Sequence, residues 1–267
     1  MMNLITSKDN KIIKLAYNLI NNKKSRDENQ MFVIEGIKTI NEIPETWTIK
    51  NIIISNDFYK NIELISCIKN KNALESILCV CSESVFKSIS TMINPEGVLA
   101  IVCKNKYELS EIINDDSIKK VVLLDDIQDP GNLGTIIRSA DAMGINAIIT
   151  SDKSVDLYNP KVTRSTMGSM FHLPIIDKVN IVDALKVLKI AGFKVYSTSL
   201  NTTKYMDEIN LKDDKICAVI GNEAHGVSEE VINNSDEVFK IEMKGNAESL
   251  NASIAASIIM YELAKNN

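Results

Sequence analysis

Arginine is nearly missing from this chain. Of its 30 basic residues only Arg26, Arg138 and Arg164 carry a guanidinium, and lysine supplies the rest. Where lysine serves almost everywhere, an arginine marks a place that needs the planar, permanently charged fork suited to phosphate or carboxylate. Histidine is scarcer still, with His172 and His225 alone. That argues against a metal centre, and Cys79 and Cys81 are too close together and too short of partners for zinc. The cysteines, Cys67, Cys79, Cys81, Cys103 and Cys217, are odd in number and scattered through apolar runs. They read as buried free thiols in a reducing cytoplasm. No apolar run approaches the roughly 20 residues of a membrane helix, and the amino terminus lacks the basic-then-apolar pattern of a secretory signal. The expectation is a cytoplasmic chain with no membrane partner. No two of the ten glycines are separated by a single residue. The Gly-x-Gly-x-x-Gly dinucleotide loop is therefore absent, as are the phosphate loop ending in Gly-Lys-Ser/Thr and the Gly-x-Ser-x-Gly elbow. Hydride transfer, nucleotide hydrolysis and serine hydrolysis all lose support. A net charge of −5 argues against holding nucleic acid through overall charge.

What remains is an ordinary soluble composition of 45% hydrophobic and 24% charged residues over 267 positions, enough for one large domain or two smaller ones. Locally the charge reverses. Between Met1 and Arg26, Lys8, Lys11, Lys14, Lys23, Lys24 and Arg26 face Asp9 alone, which is equally compatible with a solvated helix face and with a nucleic-acid contact. Ile12, Leu15, Ala16, Leu19 and Ile20 fall at helical spacing and predict an amphipathic helix near Ser7 to Asn22. Apolar runs at Met31–Ile34, Asn51–Ile54, Ile77–Val80 and Val98–Cys103 then alternate with helix-like segments at Asp57–Lys69 and Ser84–Ser90. The alternation predicts a small βαβ domain over residues 1–104. A polar stretch, 105–118, reads as a linker, and a second α/β domain fills 119–267. Its strands are predicted at Val121–Leu124, Ala147–Ile149, Phe193–Tyr196, Ile216–Ile220 and Val238–Ile241. Its helices are predicted at Gly134–Met143, Ile181–Ala191, Glu229–Asn234 and Leu250–Ala264. The last carries Ala252, Ser253, Ala255, Ala256 and Ser257, small residues that suit close helix packing.

Three stretches concentrate glycine and polar residues after strand-like runs, where α/β proteins build their sites. In Asp125 through Arg138 the chain leaves a strand, turns through Pro130-Gly131 and enters a helix whose first N–H groups can meet an anion. Asn132, Gly134 and Arg138 crowd this end. Gly221-Asn222-Glu223-Ala224-His225-Gly226 follows a second buried run. A glycine there lets backbone approach a ligand, and Glu223 can accept from a ribose or orient Arg138. His225 reads as a surface or packing residue. The third stretch is Glu248-Ser249-Leu250-Asn251-Ala252-Ser253.

In order and spacing these residues resemble the SpoU/TrmH branch of the SPOUT superfamily of RNA methyltransferases. Its three motifs read here as Asn132-x-Gly134-x-x-x-Arg138-x-Ala140, Gly221-x-Glu223-x-x-Gly226 and Met243-x-Gly245-x-x-x-Ser249-Leu250-Asn251-x-Ser253. Phe32-Val33-Ile34-Glu35-Gly36 is a weaker match to the family's substrate-binding domain. Two positions depart from the pattern: Glu242 stands where proline is usual, adding a negative charge near the expected cofactor loop, and Ala252 stands where valine is common. The resemblance implies a carboxyl-terminal α/β domain with a deep trefoil knot, a smaller amino-terminal substrate-binding domain, and a homodimer. It implies methyl transfer from S-adenosylmethionine to a ribose 2′-hydroxyl of rRNA, 23S rRNA in particular. The catalytic set would be Arg138, Asn132, Glu223, Ser249 and Asn251. Cofactor contacts would come from Gly221, Ile241, Leu250, Met243 and Gly226, and RNA contacts from the six amino-terminal basic residues together with Arg164. A tRNA substrate is an alternative, disfavoured by so large an amino-terminal extension. A catalytically inactive RNA-binding assembly factor is another, disfavoured by the intact polar set. A class I methyltransferase lacks its glycine-rich loop here.

Overall fold

The computed structural model describes residues 4–61 and 77–265. The chain divides into two compact units, Met1–Asn105 with Tyr158–Phe171, and Lys106–Leu157 with His172–Asn267.

The first unit is built on β1 (Met31–Glu35), β2 (Ile49–Ser55), β3 (Leu78–Cys81) and β4 (Val98–Cys103), in the sheet order β1-β4-β2-β3. Strand β4 is antiparallel to both β1 and β2, while β2 and β3 run parallel. The expected βαβ domain is therefore a mixed sheet. The five fully buried residues that open β4 demand a central position, and burial sets no strand direction. Alternating side chains cover both faces. Val33, Ile53, Leu99 and Ile101 pack with Ile13, Ala16 and Leu19 of helix α1 (Lys11–Asn21). Phe32, on the other face of β1, meets Trp47 and Tyr158, and Trp47 meets Phe171 edge-on. Helix α1 starts where Asn10 accepts from the Ile12 N–H at 2.9 Å, a side-chain cap for an orphan donor. Among the described residues α2 (Lys23–Asn29), α3 (Ile37–Asn41), α4 (Asn56–Lys60) and α5 (Glu83–Ile89) follow. The rest of the helix expected at 57–69, with Cys67, lies outside the described residues.

The second unit opens with α6 (Leu109–Asn114). This helix lies in the stretch read as linker, yet its Ile112 is buried in the second unit's core. Then come β5 (Lys120–Leu124), α7 (Pro130–Ala142), β6 (Ala147–Ser151), β7 (Ile175–Val179), α9 (Ile181–Ile190) and β8 (Lys194–Thr198). Helix α8 (Pro160–Ser165), between β6 and β7 in sequence, packs on β1 in the first unit. The chain finishes with β9 (Ile216–Ile220), α10 (Glu229–Asn233), β10 (Glu237–Phe239) and α11 (Ala252–Lys265). The sheet order is β10-β8-β9-β5-β6-β7, with every pairing parallel. Strands β5 and β9 are neighbours, paired from Lys120–Ile216 to Leu124–Ile220. The chain steps outward from β5 to β6 and β7, while β8 and β10 lie beyond β9. The order therefore reverses between β5 and β9, and open parallel sheets bind ligands beside the carboxyl ends of strands at such a switch point. All three motifs follow strands at that end. No helix among the described residues is long and apolar enough to cross a membrane.

Candidate active site

The loops leaving β5 and β9 are joined by the Glu223 carboxylate. It accepts from the N–H groups of Gln128 and Asp129, each at 3.2 Å, and from the Asn132 side-chain amide at 2.9 Å. Burial alone would raise its pKa. The Asn132 amide and the backbone donors more than reverse this, leaving the carboxyl below the ordinary glutamate value. The helix is correspondingly earlier than its sequence pattern suggested. It starts at Pro130, and Asp129 caps it by accepting from Asn132 N at 2.8 Å. Proline suits this first position because its missing N–H would be an orphan anyway. The anion met at this helix start is thus supplied by the protein itself, through Asp129 and Glu223.

The third motif joins the same network. Asn251 donates its amide to Asn132 Oδ1 at 2.9 Å, which fixes the orientation of both side chains. Its own Oδ1 accepts from Ser253 N at 2.9 Å and Ser253 Oγ at 2.6 Å, so the same residue caps α11. One turn on, the Ser257 hydroxyl meets that of Ser139 on α7 at 2.9 Å. A chain of three side chains, Glu223–Asn132–Asn251, therefore ties all three motifs together.

Glycine does specific work in the second motif. An added Cβ at Gly221 would sit 2.1 Å from Gly226 C and from Val227 N, so no side chain fits. What approaches Gly221 is the chain's own returning backbone, where the sequence alone suggested a ligand. Asn222 and Gly226 exchange both backbone hydrogen bonds at 2.9 Å. Gly226 closes this hairpin at φ +71, a region open to glycine.

Beside the hairpin lies a cleft of about 420 Å3 between the segments that follow β8, β9 and β10 and the start of α11. Of the residues assigned from sequence, Glu223, Gly226, Ile241, Met243, Ser249 and Leu250 line it. Asn132 and Asn251 reach it through Glu223. Glu242 does not line it; its carboxylate lies on the exposed surface, 3.6 Å from Lys244. The cleft also takes in Ser199, Leu200, Lys240, Glu229 and His225, which sequence reasoning had left aside. A clue was available for the first two, since Ser199 and Leu200 directly follow the buried strand β8. Arg138 does not line the cleft. It stands exposed on α7, about 12 Å along the axis from Pro130 at the usual rise per residue, and among the described residues its guanidinium has no hydrogen-bond or ion-pair partner.

The sequence profile of the SpoU rRNA methylase family matches residues 119–261, more than half of the chain. The chain belongs to the SpoU rRNA methylase family. A second profile, the MRM3-like substrate binding domain, matches residues 10–100. Among SpoU relatives, the chain is 31% identical over 264 residues to the 23S rRNA (guanosine(2553)-2′-O)-methyltransferase RlmP of Bacillus subtilis, covering 98% of this chain and 99% of that protein. The AdoMet-bound rRNA methyltransferase of Sinorhizobium meliloti superposes with a TM-score of 0.86 at 30% identity, over 99% of this chain and 98% of that one. The SpoU methyltransferase AviRb of Streptomyces viridochromogenes, solved with AdoMet, gives 0.83 at 25% identity, over 96% and 98%.

In this SpoU chain the basic residues assigned to RNA separate into two kinds. Lys8, Lys11, Lys14, Lys23 and Lys24 are exposed, as is Arg164, whose Nη1 donates to the Thr91 carbonyl at 3.4 Å. Arg26 is a correction: it is 4% exposed and donates to the carbonyls of Leu19 at 2.7 Å and Ile20 at 3.2 Å. Its charge serves the carboxyl end of α1, where carbonyl oxygens accumulate negative potential.

Proposed function

We propose that this chain is an S-adenosylmethionine-dependent methyltransferase that methylates a ribose 2′-hydroxyl of 23S rRNA, acting in the cytoplasm as a homodimer whose carboxyl-terminal segment is threaded as a trefoil knot. The observation that carries the reading is the Glu223–Asn132–Asn251 chain beside the cleft. It places one residue from each motif in a single hydrogen-bonded unit at the switch point of a parallel sheet.

The cleft's chemistry fits S-adenosylmethionine. Ile241, Met243 and Leu250 offer apolar surface for a purine. Ser199, Asn222 and Ser249 offer hydrogen bonds for a ribose, and the Glu223 and Glu229 carboxylates favour a cationic ligand. When bound, the cofactor supplies a methyl group on a positively charged sulfur that is already an excellent leaving group. The protein must then position the hydroxyl and ease the loss of its proton. Arg138 does this by holding a neighbouring phosphate and stabilising negative charge as it develops on the 2′ oxygen. Guanidinium stays protonated, so the proton passes to a phosphate oxygen or to water. Glu223, Asn132 and Asn251 hold the loops in register, and Ser249 orients the ribose. Exposed Lys8, Lys11, Lys14, Lys23, Lys24 and Arg164 supply contacts to the RNA backbone. Ile254 and Tyr261, about half exposed on α11, give the homodimer an apolar contact. Free Cys79, Cys81, Cys103 and Cys217 accord with a reducing compartment.

Equilibrium dialysis of the purified chain against labelled S-adenosylmethionine tests the reading. Saturable binding that Leu250→Asp abolishes is expected. Failure of the wild-type chain to retain the ligand would refute it.

A further inference from the structure

The first unit carries an aromatic side chain that neither its fold nor the active site uses. Tyr17 lies on the outer face of α1 and is 52% exposed. Among the described residues its ring has no aromatic or cationic partner, and its hydroxyl has no hydrogen bond. Of the three other exposed tyrosines among the described residues, Tyr59, Tyr205 and Tyr261, the last two differ: they lie under Lys240 and Lys265 at 5.1 and 4.6 Å.

The surroundings of Tyr17 follow from helical spacing. Lys14 precedes it by three residues and Asn21 follows by four, so both flank it on one face. Lys11 and Asn18 complete that face, and all four are exposed. Asn21 donates to the Tyr17 carbonyl at 2.8 Å, which leaves the ring itself uncovered. Beyond the helix ends, Lys8, Lys23 and Lys24 are exposed as well. The nearby acids are Asp9, 2.8 Å from Lys14, and Glu28, 3.7 Å from Lys24. Both pairs are open to solvent, where ion pairs hold weakly and lysines exchange partners readily. Because the whole chain is acidic, at net −5, this positive face is a local feature.

We propose that this face of α1 binds unpaired RNA, with Tyr17 as a stacking platform for one base and Lys11 and Lys14 as contacts to the flanking phosphates. The partner class rests on the RNA methyltransferase reading; the geometry of the face stands apart from it. A lone aromatic among lysines and asparagines offers too little apolar area to dock a protein. It matches the combination that single-stranded RNA requires, a π-face for a base and cations for the backbone.

The test is fluorescence anisotropy of the full chain with a labelled single-stranded oligoribonucleotide of mixed sequence, against the same sequence as a duplex. Tyr17→Ala should weaken single-strand binding by roughly 5- to 150-fold, the span that corresponds to one stacked base, with the salt dependence unchanged. Tyr17→Phe should bind as wild type, because the ring stacks without its hydroxyl. Lys14→Ala should lower the salt slope by about 0.7. Duplex binding should be insensitive to Tyr17→Ala. Wild-type affinity in Tyr17→Ala, equal losses in Tyr17→Phe, or an equal loss on the duplex would overturn the proposal. Should Tyr17→Ala unfold at lower temperature, Tyr17→Leu decides: it keeps the apolar stem and must still lose binding. If the wild-type chain binds this RNA but transfers no methyl group, the enzymatic reading fails while the Tyr17 comparison stands.

Discussion

In the proposed mechanism the chemistry narrows to one side chain, Arg138. Helix α7 carries no other cation, and a lysine at this position would present a point charge in place of a two-toothed fork. Arg138→Lys should therefore lower the single-turnover methylation rate by roughly 100- to 1,000-fold, the usual cost of losing a preorganised donor, with little change in cofactor affinity. A near-wild-type rate would exclude the bidentate role. Glu223 makes a prediction about pH. Its folded pKa lies below the ordinary value of 4.5, so its carboxylate stabilises the fold fully above that pH and loses this contribution as pH falls through the lowered value. The gap in unfolding temperature between wild type and Glu223→Gln should thus be widest near neutrality and close on acidification. A constant gap would show that the carboxylate charge plays no part. Burial pushes the Cys81 and Cys217 thiols up to about 12, so neither should react with a thiol reagent while the chain is folded.

At the scale of elements, the motif loops depend on two kinds of contact. Gly221→Ala places a Cβ against backbone, so hairpin 222–226 must open, at a cost of about 1–3 kcal/mol or more. Gly245→Ala meets nothing within 4 Å and should leave urea unfolding unchanged, which makes it the matched control. Strands β5 and β9 were legible because Val121-Val122-Leu123-Leu124 and Ile216 through Ile220 are unbroken apolar runs, the mark of a strand covered on both faces. Strand β7 was not legible. Pro174 precedes it and Asp177-Lys178 interrupts it, and its apolar half, Ile175-Ile176, is too short to show a period. Helix α6 was hidden for a similar reason: only Ile112 among its six residues is fully buried, so the polar surroundings dominated the pattern. The motif spacing singled out Asn132 and Asn251 but not the hydrogen bond between them, because they lie 119 positions apart.

At the scale of the whole molecule, the expectation of a carboxyl-terminal α/β domain agrees with the observed second unit, whose sheet is parallel, and with the SpoU family match. The return of Tyr158–Phe171 to the first unit was invisible in the sequence. The contacts that hold it, such as Phe32 against Tyr158 at 4.7 Å between ring centroids, join residues far apart, and no local period encodes them. The same blindness applies to strand direction in the first unit. Function was more legible than topology, because three short polar motifs report chemistry directly. The central claim is that this chain places a methyl group on a ribose oxygen of 23S rRNA. Nucleotide-resolution mapping of 2′-O-methylation in 23S rRNA from cells with and without the gene tests it most directly. One ribose should lose its resistance to alkaline cleavage in the deletion and regain it with the wild-type gene, but not with Arg138→Lys. An identical 2′-O-methylation map in both strains would contradict the account.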